Sequence, residues 1–402
     1  MTRAGCYICN APQLIMAFDA GLQPIGNRFL KSPDAAEAAY LLQVVQCQTC
    51  GMLQMRDPFP AEELLTTYDW VTYSEPEDHL DELAELILTL HGITPDSVIA
   101  GVSFKDDTTL DRLTRRGNAQ RWRLDLREDL SLPWVHGGHG AETLQAYLTE
   151  EAAERVAQRR GPADVLIVRH VAEHAYNPIQ FFRALVTLTK PSGYIVIEVP
   201  DCERALAAGD CTTLWEEHIL YFTSVTFQQT LRILGFEPIL FRNYVYPFEN
   251  SLVAILKVVP PGSPDPALTA EECSLGEGFA MRLDGRREAF LAYLENYRRT
   301  HGRIAMFGAG HLAVTFLNIM DAPGMIDFVV DDNPNKRGLY MPGSHVPIVG
   351  SDVLVASNDV KLCLLGLNPL SERKVMERQS AFTSRGGVFT SIFPASTVAL
   401  KF

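Results

Sequence analysis

No stretch of the 402 residues is apolar for long enough to cross a bilayer, and the first residues lack the basic and apolar regions of a signal peptide. A cytoplasmic protein with no membrane partner is the expectation. Basic residues are also scarce: 35 lysines and arginines face 49 carboxylates, a formal net charge of −14. No basic patch dense enough to neutralise a phosphate backbone is visible, which argues against a nucleic-acid partner. A small anionic substrate remains open, because it needs only a local pocket. With 47% hydrophobic and 21% charged residues, the chain has the composition of a globular protein with ample core. Its length suits two or three domains.

Four of the eight cysteines fall in two Cys-x-x-Cys pairs, Cys6/Cys9 and Cys47/Cys50. In a reducing compartment such knuckles hold zinc rather than disulfides. No histidine or carboxylate stands beside them, so the expectation is a closed, tetrahedral structural zinc site on Cys6, Cys9, Cys47 and Cys50. Cys202, Cys211, Cys273 and Cys363 are scattered and read as buried or incidental.

Residues 1–70 read as this zinc-binding module. Residues from about 60 to 92 read as helical, with acidic and apolar residues at helix spacing over 78–88, which contains His79; the tyrosine-rich segment before it, which includes Tyr73, could wall a pocket or simply pack the zinc module onto the next domain. From 71 to 260, apolar strands at 97–101, 122–126, 163–168 and 193–200 alternate with helices, and a Lys190-Pro191-Ser192-Gly193 turn precedes the last. Strands at 236–241 and 252–258 close the sheet, antiparallel at one edge. Such a sheet is mostly parallel and covered on both faces, with ligands at the carboxyl ends of its strands.

A Pro/Gly-rich stretch over 259–266 marks the next boundary. The segment 261–402 contains a strand at 303–307 that enters Gly308-Ala309-Gly310-His311 and then a helix. A second strand, 326–332, ends in acid about twenty residues on, the layout of a nucleotide-binding βαβ unit. The third glycine of that fingerprint is absent, Val314 or a neighbour standing there. Nucleotide binding and a purely structural half-Rossmann unit both stay open.

Midway lies Trp215-Glu216-Glu217-His218, followed by Tyr221 and Phe222. Carboxylates and an imidazole among apolar residues suit proton transfer, since such surroundings move a pKa toward the working pH. The plain alternative is a helix start with one satisfied histidine.

In this order the knuckles, the alternating middle segment, the Glu-His motif and the segment from Asp331 through Gly343 resemble the nucleotide-sugar C-methyltransferases of deoxysugar biosynthesis. Those enzymes methylate a ring carbon beside a ketone with S-adenosylmethionine. The resemblance implies an α/β fold: a small zinc-binding module, a class I methyltransferase-like Rossmann domain and a second, C-terminal Rossmann-like domain. It also implies His218 as the base that forms an enolate, with Glu217 orienting it and His174 matching a further family histidine. Trp215 and Glu216 replace a tyrosine and a histidine of the family motif, and Phe248-Glu249-Asn250-Ser251 replaces a His-Gly-Gly-Ser. Tyr73, His79, Trp215, Tyr221, Asn250, Gly308, Gly310 and His311 are the substrate-facing residues so implied, and a nucleotide-linked sugar the anionic small-molecule substrate, on a monomer or small homo-oligomer. For the donor the resemblance points to Gly101, Lys105 and Asp125. Between Ala100 and Thr108, however, Gly101 is the one glycine, and Phe104 and Lys105 bring bulk and positive charge where a sulfonium should lie. Enolisation without a methyl donor, giving epimerisation, isomerisation or elimination, is therefore a second expectation, and a non-catalytic binding protein a third.

Overall fold

The computed structural model of this chain describes residues 5–65, 68, 75–132, 144–264, 268 and 270–401. Composition suggests three consecutive segments, whereas the backbone contacts group the chain into two units. The first holds residues 1–16, 44–203 and 217–274; the second holds 17–43, 204–216 and 275–402. The division passes between Glu216 and Glu217, inside the central motif. Tyr73 lies outside the described residues. Among the described residues no helix is long and apolar enough to cross a membrane.

Near the N-terminus run β1 (Leu14–Pro24), β2 (Ala39–Cys47) and β3 (Leu53–Met55). A fourth strand of their sheet, Leu220–Tyr221, arrives much later in the chain and is β8 in chain order. It pairs antiparallel with β3, Leu53 opposite Tyr221 and Gln54 opposite Leu220.

The larger sheet of the first unit contains β4 (Ile99–Gly101), β5 (Arg121–Arg123), β6 (Ala163–Arg169), β7 (Thr189–Asp201), β9 (Phe236–Tyr244) and β10 (Asn250–Val258), in the order β5-β4-β6-β7-β10-β9. Strands β4 to β7 are parallel, and β10 runs antiparallel between β7 and β9. The run Val165–Val168 is wholly buried, as a central strand covered on both faces must be. Two local expectations shift. The strand expected at 122–126 leaves the sheet earlier, because the Asp125 carboxylate accepts the N–H groups of Arg127 and Glu128 at 2.9 and 2.8 Å and starts a turn. The expected turn at 190–193 is extended chain within β7, where pairing with β6 jumps from Ala163–Thr189 to Val165–Tyr194. The Pro-Ser-Gly sequence is taken up as extra length on one strand.

The second unit carries a parallel sheet of β11 (Arg303–Phe307), β12 (Phe328–Val330), β13 (Ile348–Val349), β14 (Val360–Leu365) and β15 (Val388–Ser391), ordered β13-β12-β11-β14-β15. The strand order reverses at β11/β14, a doubly wound arrangement with its crevice beyond the ends of those two strands. The helix Leu275–His301 buries Phe279, Leu283, Phe290 and Leu294, spaced to fall on one face. The fold is thus mixed α/β.

Candidate functional site

The two knuckles come together as their spacing requires. The Sγ atoms of Cys6 and Cys50, and of Cys9 and Cys47, lie 3.6 Å apart, and all four sulfurs fall within 4.8 Å of one another. A tetrahedral zinc with bonds of about 2.3 Å sets its sulfurs roughly 3.8 Å apart, so the group fits. Each knuckle closes through backbone bonds, Asn10 N–H to the Cys6 carbonyl at 3.1 Å and Gly51 N–H to that of Cys47 at 2.9 Å. Asn10 and Gly51 take φ of 59° and 75°, the left-handed region that Asn and Gly enter most readily. N–H groups of Ile8 and Thr49 point at the first sulfur of each pair, at 3.4 Å. Hydrogen bonds with Cys50, then Cys6 and Cys9, hold the Cys47 thiol far down, while those with Cys47, then Cys6 and Cys9, push the Cys50 thiol far up. A divalent cation is what lets all four ionise together. The role is structural, with no position left for a substrate.

The crevice at the β4/β6 switch of the first unit is built from charge. Ser103-Phe104-Lys105-Asp106 forms a capping box on a short 3-10 turn. It turns the Asp106 carboxylate back onto the chain, where one oxygen accepts Val102 N–H and Ser103 N–H, both at 2.7 Å, and the other accepts Arg169 N–H at 2.9 Å. A Cβ on Gly101 would lie 2.9 Å from that of Asp106, so this glycine serves the side chain that packs on it. Burial pushes the Asp106 carboxyl up to about 7, against the pull of the Ser103 N–H and the Arg169 charge. Lys105 spans 3.0 Å to Glu75, and its carbonyl accepts from the buried Arg169 guanidinium at 2.6 Å. Asp125, at the end of β5, is exposed and engaged with its own turn.

Residues with no periodic signal complete this network. Arg169 Nε donates to Glu198 at 2.5 Å. His170, just past the end of β6, takes φ of 50° while buried, an uncommon conformation for a side chain of its size. It reaches Glu198 at 3.1 Å, and its Nδ1 is 3.6 Å from Glu173. Burial opposes its charge, yet Glu75 and Glu198 raise it to about 10. Burial likewise pushes Glu75 up, but His170 and Lys105 bring it down to about 2. His79 joins Glu198 at 3.3 Å and the Tyr246 hydroxyl at 2.7 Å, stacked on Tyr244. Glu249 is pushed up to about 8, mainly by burial and then by Glu75. Asn250 lies opposite Asp201 at the start of β10 and donates to it at 3.4 Å. The available signal was the pair Arg169-His170 directly after the apolar run Val165–Val168.

His174 and His218 face each other edge to face with ring centroids 4.9 Å apart. The Glu217 carbonyl, which can only accept, holds His174 Nδ1 at 2.8 Å, so that nitrogen carries a proton. Ile219 N–H donates to the Glu173 carbonyl at 2.8 Å, tying the two motif segments together. A carboxylate oxygen of Glu173 and one ring nitrogen each of His174 and His218 lie within 4.8 Å of one another. Glu173, His174 and Glu217 are buried and His218 is half-buried, with the Tyr221 ring 6.3 Å from it. Glu173 was not foreseen, although it sits in the same His170-to-His174 stretch.

In the second unit Gly308 has φ of 103°, and a Cβ there would meet the Gly366 carbonyl at 3.0 Å; Gly310 is under no such demand. The Asp331 carboxylate at the end of β12 accepts the Ala309 N–H at 2.9 Å, and Lys336 bridges that carboxylate and the Ala309 carbonyl. The acid that would hold a ribose is therefore bonded to the turn itself. His311 opens the helix His311–Ile319, with the Trp215 ring 3.9 Å from its own.

Residues 267–394 match the family model "C-methyltransferase C-terminal domain", and residues 6–64 match "Putative zinc binding domain". The chain is 23% identical over 418 aligned residues to C-methyltransferase NovU of Streptomyces niveus, covering 98% of this chain and 96% of that protein. Among solved structures it is similar to 1,6-didemethyltoxoflavin-N1-methyltransferase of Burkholderia thailandensis, at 11% identity and TM-score 0.30, over 45% of this chain and 79% of that one. A SAM-dependent methyltransferase from Aquifex aeolicus is similar at 15% identity and TM-score 0.29, over 45% and 93%.

Proposed function

We propose that this chain, which belongs to the C-methyltransferase family, forms an enolate from a nucleotide-linked keto-sugar with His218 as the base. The observation that carries the reading is the pairing of His218 with His174 beside Glu173. His218 takes the proton alpha to the ketone. Its imidazolium then forms close to the Glu173 carboxylate, which favours the charged form. His174, held at Nδ1 by the Glu217 carbonyl, orders a substrate hydroxyl or one water.

S-adenosylmethionine is the donor the family resemblance implies, and it would be bound by backbone after the first strand. There the N–H groups of Val102, Ser103 and Arg169 already bond the Asp106 carboxylate. These residues do not fit a donor in that position. This favours a second reading within the same chemistry, in which the enolate is reprotonated or loses a leaving group, giving epimerisation, isomerisation or elimination.

Two measurements test the proposal. In D2O and without any methyl donor, the protein exchanges deuterium into the alpha position of a nucleotide-linked keto-sugar, seen by NMR; no exchange would remove the enolate. Calorimetry with S-adenosylmethionine gives no saturable heat up to about millimolar. Micromolar binding would show that Asp106 gives way, and would return methyl transfer to first place.

A further inference from the structure

Glu173 is 1% exposed, and its Oε2 has no hydrogen-bond partner. A carboxylate taken out of water in this way is costly unless a cation or a donor meets it. Its other oxygen, Oε1, lies 3.6 Å from His170 Nδ1 and 3.9 Å from His174 Nε2. The charge on His170 is shared with Glu198, at 3.1 Å, and with Glu75, at 3.9 Å. Glu173 therefore keeps negative charge to spare on the side of the two imidazoles. The local chain brings these groups together within the first unit. Glu173 and His174 share one 3-10 turn, Ala172–His174, just past the end of β6. The Ile219 N–H, on the Glu173 carbonyl, seats the neighbouring His218 beside that turn. His174 Nδ1 donates to the Glu217 carbonyl at 2.8 Å, which leaves Nε2 to face Glu173. A backbone carbonyl on the far nitrogen is the usual support of a metal-bound imidazole.

We propose that Glu173, His174 and His218 form a second metal site, for zinc or a similar divalent transition ion, and that an ion bound there switches the base off. The site rests on the geometry, and the switching rests on the reading of His218 as the base. Two imidazole nitrogens and one carboxylate oxygen suit such an ion, whereas magnesium and calcium take oxygen ligands. Bonds of about 2.1 Å set tetrahedral donors roughly 3.4 Å apart. The three donors lie within 4.8 Å of one another, so small side-chain rotations close them on the ion. Glu173 and His174 are buried while His218 is half-buried, which leaves a way in. Once the metal holds the His218 lone pair, that nitrogen no longer accepts the substrate proton. Three mixed ligands bind less tightly than four thiolates, so the site fills only when free metal rises.

The test starts from the full chain with its knuckle zinc, dialysed free of weaker metal, and titrates in zinc and, separately, cobalt. A second equivalent binds. Its cobalt form shows the weak visible bands of nitrogen and oxygen ligands, without strong sulfur-to-cobalt charge transfer. Glu173→Gln and His218→Asn each weaken this second equivalent by roughly tenfold or more. Both keep the first equivalent, which reports that the knuckles remain folded. Deuterium exchange into the nucleotide-linked keto-sugar falls as the second site fills, and returns when a mild chelator removes only that ion. No second equivalent, one that carries sulfur bands, or one that both variants bind as tightly as the native chain overturns the site. Exchange undiminished or raised at full occupancy overturns the switching. Exchange absent before any second metal is added overturns the enolate reading alone, since titration and spectrum score the metal site without it.

Discussion

Replacing His218 with asparagine lowers the rate of enolate formation by roughly a hundredfold or more, the scale of losing a general base, with the fold intact. Asparagine keeps the size and hydrogen-bonding capacity of imidazole but cannot accept the proton. The half-buried position of His218 means its loss leaves no large cavity. The readout is deuterium exchange into substrate, with circular dichroism to verify folding. Exchange that survives in His218→Asn means that another group is the base, with His174 next in reach. A parallel loss of structure would return His218 to the plain role of a packed histidine.

The second large effect is expected from zinc. The purified protein carries about one equivalent, and Cys47→Ser or prolonged chelation unfolds the segment of the knuckles and β1–β3. Activity falls with it. Strand β3 pairs with β8, and the Met55 N–H donates to the Ile219 carbonyl at 2.8 Å, one residue from His218. Limited proteolysis of the first 64 residues and the exchange assay should therefore respond together as zinc is withdrawn. Less than roughly half an equivalent of metal in protein never exposed to chelator would defeat the zinc assignment. Full exchange by a metal-free protein would show that β8 holds its place without the hairpin.

Much of this architecture is legible in the sequence, and the reasons differ by element. The knuckles are legible because four thiols at that spacing have few other uses, and β6, β7 and β11 because wholly apolar runs mark covered strands. The unusual loop after β4 is visible as missing glycines. What fills it is also written locally, since Ser103 and Asp106 stand three apart as a capping box does. The charged network is harder to foresee. Arg169 and His170 sit at the end of β6, where periodicity says nothing, Glu198 interrupts the apolar run of β7, and the His170 partner Glu75 comes from outside the sheet. Nor does the sequence tell that Glu216 and Glu217, adjacent in the chain, sort into different units.

The β3–β8 pair also bears on synthesis. The knuckle hairpin can close on its metal once Met55 has emerged, yet Leu53 and Gln54 wait for Tyr221 and Leu220. Until that stretch leaves the ribosome, β3 presents an open strand edge, the kind of surface that recruits another chain. Newly made protein is therefore most prone to associate with its own copies while the intervening residues are being translated.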